Sequence, residues 1–156
     1  MLDKTKINNL RDLLVGVVPN PVDQVKQITI ALVYKFMNDM DDFNQNFAGK
    51  RIYFVKDYAQ FAWSKLMDDK LTNLERLNLY ADALQQIELN KDIPDVFQHI
   101  FKGAFLSYRN PETLTLFLKE ISGFDYNQDS EQLGDAFEYL WSILGSQKDA
   151  GQFRTP

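Results

Sequence analysis

The sequence predicts an all-α protein, a multi-helix bundle of about six to seven helices. Three observations predict it. Asn20-Pro21 and Asn110-Pro111 each place a capping side chain directly before a proline at the first helical position. Thr72-Asn73-Leu74-Glu75 is a capping box, in which the Thr oxygen takes a backbone N–H while the Glu reaches back to the cap. Apolar residues then recur at steps of three and four, and no pair of alternating runs around a tight turn suggests a hairpin.

A weak helix is expected near Ile7 to Val17. After Asn20-Pro21 the stripe Val25, Ile28, Leu32, Phe36, Met40 and Phe43 predicts a long helix from Pro21 to about Phe43. Arg51-Ile52-Tyr53-Phe54-Val55 has strand-like composition but no alternating partner, so it is expected to lead into a helix over Val55 to Met67. The capping box opens a helix to about Leu89, with Leu74, Leu77, Ala81, Leu84 and Ile87 on one face. Another weak helix follows over Asp95 to Phe105. Asn110-Pro111 starts a helix that buries Leu114, Phe117, Leu118 and Ile121, with Gly123 available as a left-handed stop. In the last helix Asp129 is the expected cap, and Leu133, Ala136, Phe137, Leu140, Trp141 and Leu144 form the stripe until Gly145. Gly145 to Gly151, with Ser146, Gln147, Lys148 and Asp149, has linker composition.

Bulk composition narrows the functional classes. At 156 residues the chain fits one domain, large enough to bury roughly 68–70% of its unfolded surface. It contains no cysteine, so neither a disulfide framework nor a thiolate metal site is available, and a cytoplasmic location is expected. The start MLDKTKINNL is too polar for a signal peptide, and no apolar run approaches the ~18 residues of a membrane span. The net charge of −5 argues against a nucleic-acid binder driven by global electrostatics. Any such contact requires a local basic patch. Aromatic residues make up 13% of the chain, which supplies side chains for a core and for interfaces.

Few residues form a chemical constellation. Asp125-Tyr126-Asn127-Gln128-Asp129 imitates the start of a calcium loop, yet Ser130 stands where the sharp turn needs Gly and Ala136 where the bidentate Glu belongs. Asp39, Asp41 and Asp42 read as a solvated last turn of their helix. His99 is the only histidine and has no partner at a catalytic spacing. Basic residues offer more: Lys50, Arg51 and Lys56 flank Tyr53 and Phe54 in a glycine-containing loop, and Lys102 with Arg109 surrounds Tyr108. Such groups hold phosphates through charge-assisted hydrogen bonds.

Two stretches carry a family resemblance. Leu133-Gly134-Asp135-Ala136-Phe137-Glu138-Tyr139-Leu140, followed by Ala150-Gly151-Gln152-Phe153-Arg154-Thr155-Pro156, resembles the junction in the modification subunit of type I restriction-modification systems. There a helical N-terminal domain precedes an adenine-specific DNA methyltransferase domain. Upstream, the run from Gln27 to Asp41, QITIALVYKFMNDMD, resembles the early helix of the same family. The resemblance implies a helical accessory domain over residues 1–145, with 146–156 as linker and start of a methyltransferase domain outside this sequence. It implies S-adenosylmethionine as the cofactor of the full subunit, with Gly151, Phe153, Thr155 and Pro156 contributing to its pocket. Arg154 stands where many members of the family carry an aromatic residue.

Further implications concern partners: DNA, contacted here by Lys50, Arg51 and Lys56, a specificity subunit, a restriction subunit and a second modification subunit. Catalysis is expected elsewhere. Asn20-Pro21 and Asn110-Pro111 are followed by Val22 and Glu112, so neither continues as the Asn/Asp-Pro-Pro-aromatic element that holds the target adenine in that family. No catalytic residue, no metal ligand and no methyltransferase activity are therefore expected in this chain alone. A reading from a different class is a stand-alone helical module whose aromatic-rich helices bind a protein partner without any enzymatic role.

Overall fold

The computed structural model describes the backbone of residues 3–154 and the side chains of residues 3–139 and of Ser142. Its ordered elements are helical: α1 (Lys4–Leu14), α2 (Pro21–Ala48), a 3-10 segment (Lys56–Phe61), α3 (Trp63–Leu66), α4 (Asn73–Ile87), α5 (Asp95–Phe101), α6 (Pro111–Ser122) and α7 (Tyr126–Arg154). No strand occurs among the described residues.

Local chemistry sets the helix starts. The Asn20 side chain accepts the Val22 N–H at 2.8 Å, and that of Asn110 accepts the Thr113 N–H at 2.9 Å. Both bonds of the capping box form, Glu75 N–H to Thr72 Oγ1 at 3.1 Å and Thr72 N–H to Glu75 Oε1 at 3.0 Å. The backbone turns into α7 earlier than Asp129. Asp125 takes the Asn127 N–H at 2.9 Å, while Asp129, one turn inside, receives the Asp125 N–H at 2.8 Å. Gly123 is not a left-handed stop. It sits at φ −73°, ψ −11°, and α6 ends because Phe124 must turn back into the core, where it is 2% exposed.

Helix α7 also outruns its expected end. It passes through Gly145 to Arg154, whereas residues 146–156 read as linker. A glycine in a helix interior costs only about 1 kcal/mol relative to alanine, so Gly145 weakens the helix without ending it.

The core forms around α2. Every residue from 30 to 38 is buried, so this segment is enclosed on all sides: its apolar residues pack all round, and its two polar ones, Lys35 and Asn38, are held by hydrogen bonds. α7 packs along α2, α6 packs on α4 and α1, and α5 lies against α2 and α4. Tyr34 is the aromatic hub. Its ring stacks on Phe54 and Tyr80 at 5.6 and 5.8 Å between centroids and meets Trp63 edge-on at 5.3 Å, arrangements that aromatic quadrupoles favour. Its hydroxyl donates to the Phe61 carbonyl, and burial pushes the phenol far above its ordinary pKa.

Packing revises the expected faces. In α4 Tyr80 is buried while Leu74 is 58% exposed, and Phe43 near the end of α2 lies outside the core, its ring tilted against that of Phe47. Arg76 is 5% exposed and satisfied by oxygen atoms alone: Leu66 O at 3.0 Å, Asp68 O at 2.8 Å and Thr115 Oγ1 at 3.2 Å. That guanidinium fastens the loop before α4 to α4 and α6, and it is the kind of buried charge that only full hydrogen bonding supports.

Candidate functional site

Three regions concern function: the basic loop after α2, the end of α7, and a groove beside α5. In the first, α2 closes on Gly49, whose φ of 77° lets the chain reverse. Residues 50–55 then fold back along the last turns of α2. Asp41, fully buried, receives three successive backbone amides: Ile52 N–H at 2.8 Å, Tyr53 N–H at 2.9 Å and Phe54 N–H at 2.8 Å. Convergent amides of this kind form an anion nest. Here the anion is the protein's own carboxylate. The strand-like run Arg51 to Val55 is therefore neither strand nor helix, because its amides are spent on Asp41.

Arg51 is bound in the same clasp. Its guanidinium donates to Asp42 Oδ1, to Gln45 Oε1 at 3.1 Å and to Asn38 Oδ1 at 3.0 Å. Asn38 Oδ1 also accepts the Trp63 N–H at 2.9 Å. Lys50 and Lys56, by contrast, are exposed, and Lys56 stands at φ 53°. Of the three basic residues expected to contact DNA, Lys50 and Lys56 are exposed and Arg51 ties the loop to α2.

The aspartates thus correct the expectation of a solvated acidic turn. Asp41 fills the nest, Asp42 pairs with Arg51, and Asp39 binds Lys35 Nζ at 2.6 Å and the Tyr126 N–H at 3.1 Å. Lys35 also donates to the Phe124 carbonyl at 2.9 Å. Together these bonds seat the first turn of α7 on α2. Burial raises the Asp39 carboxyl above the ordinary carboxylate value, against the lowering pull of Lys35 and of the Tyr126 amide. Among the described residues no group of three or more His, Asp or Glu side chains is placed to hold a metal ion.

At the other end of the chain, Gly151 and Phe153 fall in the last turn of α7, where side chains are outside the described residues. Thr155 and Pro156 lie outside the described residues altogether. No helix among the described residues is long and apolar enough to cross a membrane.

The groove was not legible in the sequence. It has a volume of about 590 Å³ and lies between the first turns of α2, the end of α5 with the loop after it, and Phe137 of α7. Its walls are Val25, Ile30, Ile100, Ala104, Phe105 and Phe137, with Lys26, His99 and Lys102 at the rim. Gly103, at φ 70°, turns the loop back after α5, and Gln27 donates to the Phe105 carbonyl at 3.0 Å to hold it against α2. Phe105 itself remains 61% exposed. The sequence signal is the exposed aromatic one turn past a short helix, which periodicity alone assigns to the helix and its buried face. His99 and Lys102, read separately as an isolated histidine and part of a basic cluster, meet here. Tyr108 turns inward instead, 5% exposed.

Comparison with protein-family models, curated proteins and solved structures found no match to this chain.

Proposed function

We propose that this chain is the N-terminal helical domain of the modification subunit of a type I restriction-modification system, a DNA adenine-N6 methyltransferase. One observation carries the reading. The two stretches that resemble that family, Gln27 to Asp41 and Leu133 to Leu140, are separated by more than half the sequence, yet one is the enclosed centre of α2 and the other lies in α7, packed along it. Both stretches therefore belong to one packed helix pair, which supports reading them as parts of a single domain.

In this reading the domain assembles the complex and helps close it around the duplex. Gly151 and Phe153, in the last turn of α7, join the S-adenosylmethionine pocket of the methyltransferase domain together with Thr155 and Pro156. Full catalysis moves a methyl group from the cofactor's sulfonium to the exocyclic N6 of an adenine flipped out of the helix. The specificity subunit, the restriction subunit and a second modification subunit are the protein partners. In the same reading the exposed Lys50 and Lys56 contact phosphates, and Arg51 supports them by fixing the loop.

The test is the continuous reading frame that contains this chain, expressed with its neighbouring specificity gene and assayed for transfer of labelled methyl groups to adenine. A downstream glycine-rich turn, an Asn-Pro-Pro-aromatic element and N6 methylation are expected. A frame without them, or one whose product leaves DNA unlabelled, overturns the reading in favour of a stand-alone helical protein–protein interaction module.

A further inference from the structure

α7 is fastened differently from the helices around it. Among its described side chains only Ala136 and Asp129 are buried, whereas α6 buries Leu114, Thr115, Phe117, Leu118 and Ile121. The larger apolar side chains of α7, Leu133, Phe137 and Tyr139, are covered only in part. Helices in proteins owe most of their stability to the apolar face they bury. An element with few buried apolar contacts therefore opens at a lower free energy than the core it lies on.

Two polar fastenings tie α7 to its neighbours. At its base Phe124 is buried, the Phe124 carbonyl accepts Lys35 Nζ at 2.9 Å and the Tyr126 N–H donates to Asp39 at 3.1 Å, which pins the chain to α2. About 20 Å further on, at 1.5 Å per residue, the Tyr139 hydroxyl donates to Asn8 Oδ1 at 2.8 Å and Lys4 Nζ lies 5.5 Å from the centre of its ring. Lys4 is exposed and Asn8 half-buried, so this second fastening stands at the solvent edge, where such contacts are weak. Between the two, the seat is imperfect. Phe137 lines the groove of about 590 Å³, and a ring with a void on one side forfeits dispersion contacts there. Gln132 Oε1 is buried with no hydrogen-bond partner, a loss that is recovered when the side chain meets water.

We propose that α7 is a strap, pinned to α2 at Phe124 to Tyr126 and latched to α1 at Tyr139, which swings off α2 as one helix while α1 to α6 stay folded. Release takes the Phe137 wall away from the groove and uncovers the apolar side of α2 that lines it, Val25 included. Closed, the strap keeps that side from water. This inference concerns contacts within the chain and does not depend on the enzyme reading.

Because the chain has no cysteine, a single introduced thiol reports the opening. Ala136→Cys places it under the strap and Ala83→Cys in the core of α4, both at buried positions. Under native conditions an aromatic disulfide reagent should label Ala136→Cys at least about 100-fold faster than Ala83→Cys. Adding Tyr139→Phe should speed labelling at residue 136 about fivefold, the equivalent of one net hydrogen bond. Thr72→Ala, which removes the cap of α4, should speed labelling at residue 83 about fivefold and leave residue 136 unchanged, since α4 stays folded when the strap opens. Hydrogen exchange on the unmodified chain gives a second reading that needs no substitution. The amides of residues 130–139 should share one protection factor, lower than that of residues 30–38. Equal labelling of the two thiols, or acceleration of both by Thr72→Ala, means that α7 opens only when the whole chain unfolds and overturns the proposal. Protection that rises step by step from residue 139 back to residue 130 overturns it too, because it describes a fraying end. No response to Tyr139→Phe removes the latch, and the strap with it.

Discussion

At Asp41 three backbone amides and a carboxylate share a site from which water is excluded, and this arrangement sets the effect of its replacement. Asp41→Ala leaves the amides of Ile52, Tyr53 and Phe54 without an acceptor; a buried donor so stranded costs about 1–3 kcal/mol, and hydrogen bonds to charged groups lie at the upper end. A loss of about 3–5 kcal/mol by urea unfolding is expected, against a smaller one for Asp41→Asn, whose amide oxygen still accepts. A loss under about 1 kcal/mol for the alanine variant would show that water replaces the carboxylate. Two other carboxyls act oppositely with pH. The Glu75 carboxyl is lowered by its bonds to Thr72, backbone first, so its stabilisation is present above the unfolded-state value and is lost as pH falls through the folded one. Replacement by Gln should lower the urea midpoint near neutrality, and the gap should close on acidification. Asp39 is raised, chiefly by burial. Its contribution is therefore largest below the unfolded-state value and fades as pH rises through the folded one. The midpoint of wild type relative to Asp39→Asn should decline with rising pH across that window; a rising difference contradicts the burial assigned to this carboxyl.

Helix ends divide what sequence reveals from what it conceals. Asn20, Thr72 and Asn110 make the capping bonds their residue types announce, because a cap is a local interaction whose partners lie within three residues. Thr72→Ala should cost about 1 kcal/mol. The face of α6, Leu114, Phe117, Leu118 and Ile121, is buried as its spacing requires. Longer-range effects were illegible. α2 continues five residues past Phe43 because Gly49 and the Asp41 clasp terminate it, and Asp41 bonds residues 11 to 13 positions away. Tyr80 displaces Leu74 from the core of α4 because Tyr34 supplies a stacking partner 46 positions earlier in the chain. The basic loop looked like three equivalent cations for the same reason, since no spacing rule pairs Arg51 with Asn38 and Asp42. The groove depends on α2, α5 and α7 at once. Gly49 gives an element-scale test. A Cβ there meets nothing within 4 Å, so Gly49→Ala carries only the strain of a left-handed alanine, about 1–2 kcal/mol. Thermal unfolding should show that loss, with Gly49→Asn falling less; equal stability of Gly49→Ala and wild type would mean that the chain reverses without the left-handed turn.

For the molecule as a whole, the basic loop divides exposed charge, on Lys50 and Lys56, from fold maintenance by Arg51. Lys50 and Lys56 are exposed, so either can be replaced at no cost to the core, whereas Arg51 is held by Asn38, Asp42 and Gln45. In the assembled methyltransferase complex proposed above, Lys50→Ala with Lys56→Ala should weaken duplex binding and reduce the slope of log affinity against log salt by about 2, one counterion release per phosphate contact. Their melting temperature should not change, since alanine at residue 56 meets the same backbone conformation as lysine. Arg51→Ala should do the reverse. Freed from Asp42 and Asn38, the loop loses charge-assisted bonds worth about 1.5–3 kcal/mol each when well shielded and less where Asp42 is open to solvent. The melting temperature then falls, and the salt slope stays near that of the parent. An equal change of slope for all three replacements would make Arg51 a phosphate ligand that abandons its clasp on binding. An unchanged slope for Lys50→Ala with Lys56→Ala would remove this loop from the DNA interface and leave the domain with protein docking as its remaining task.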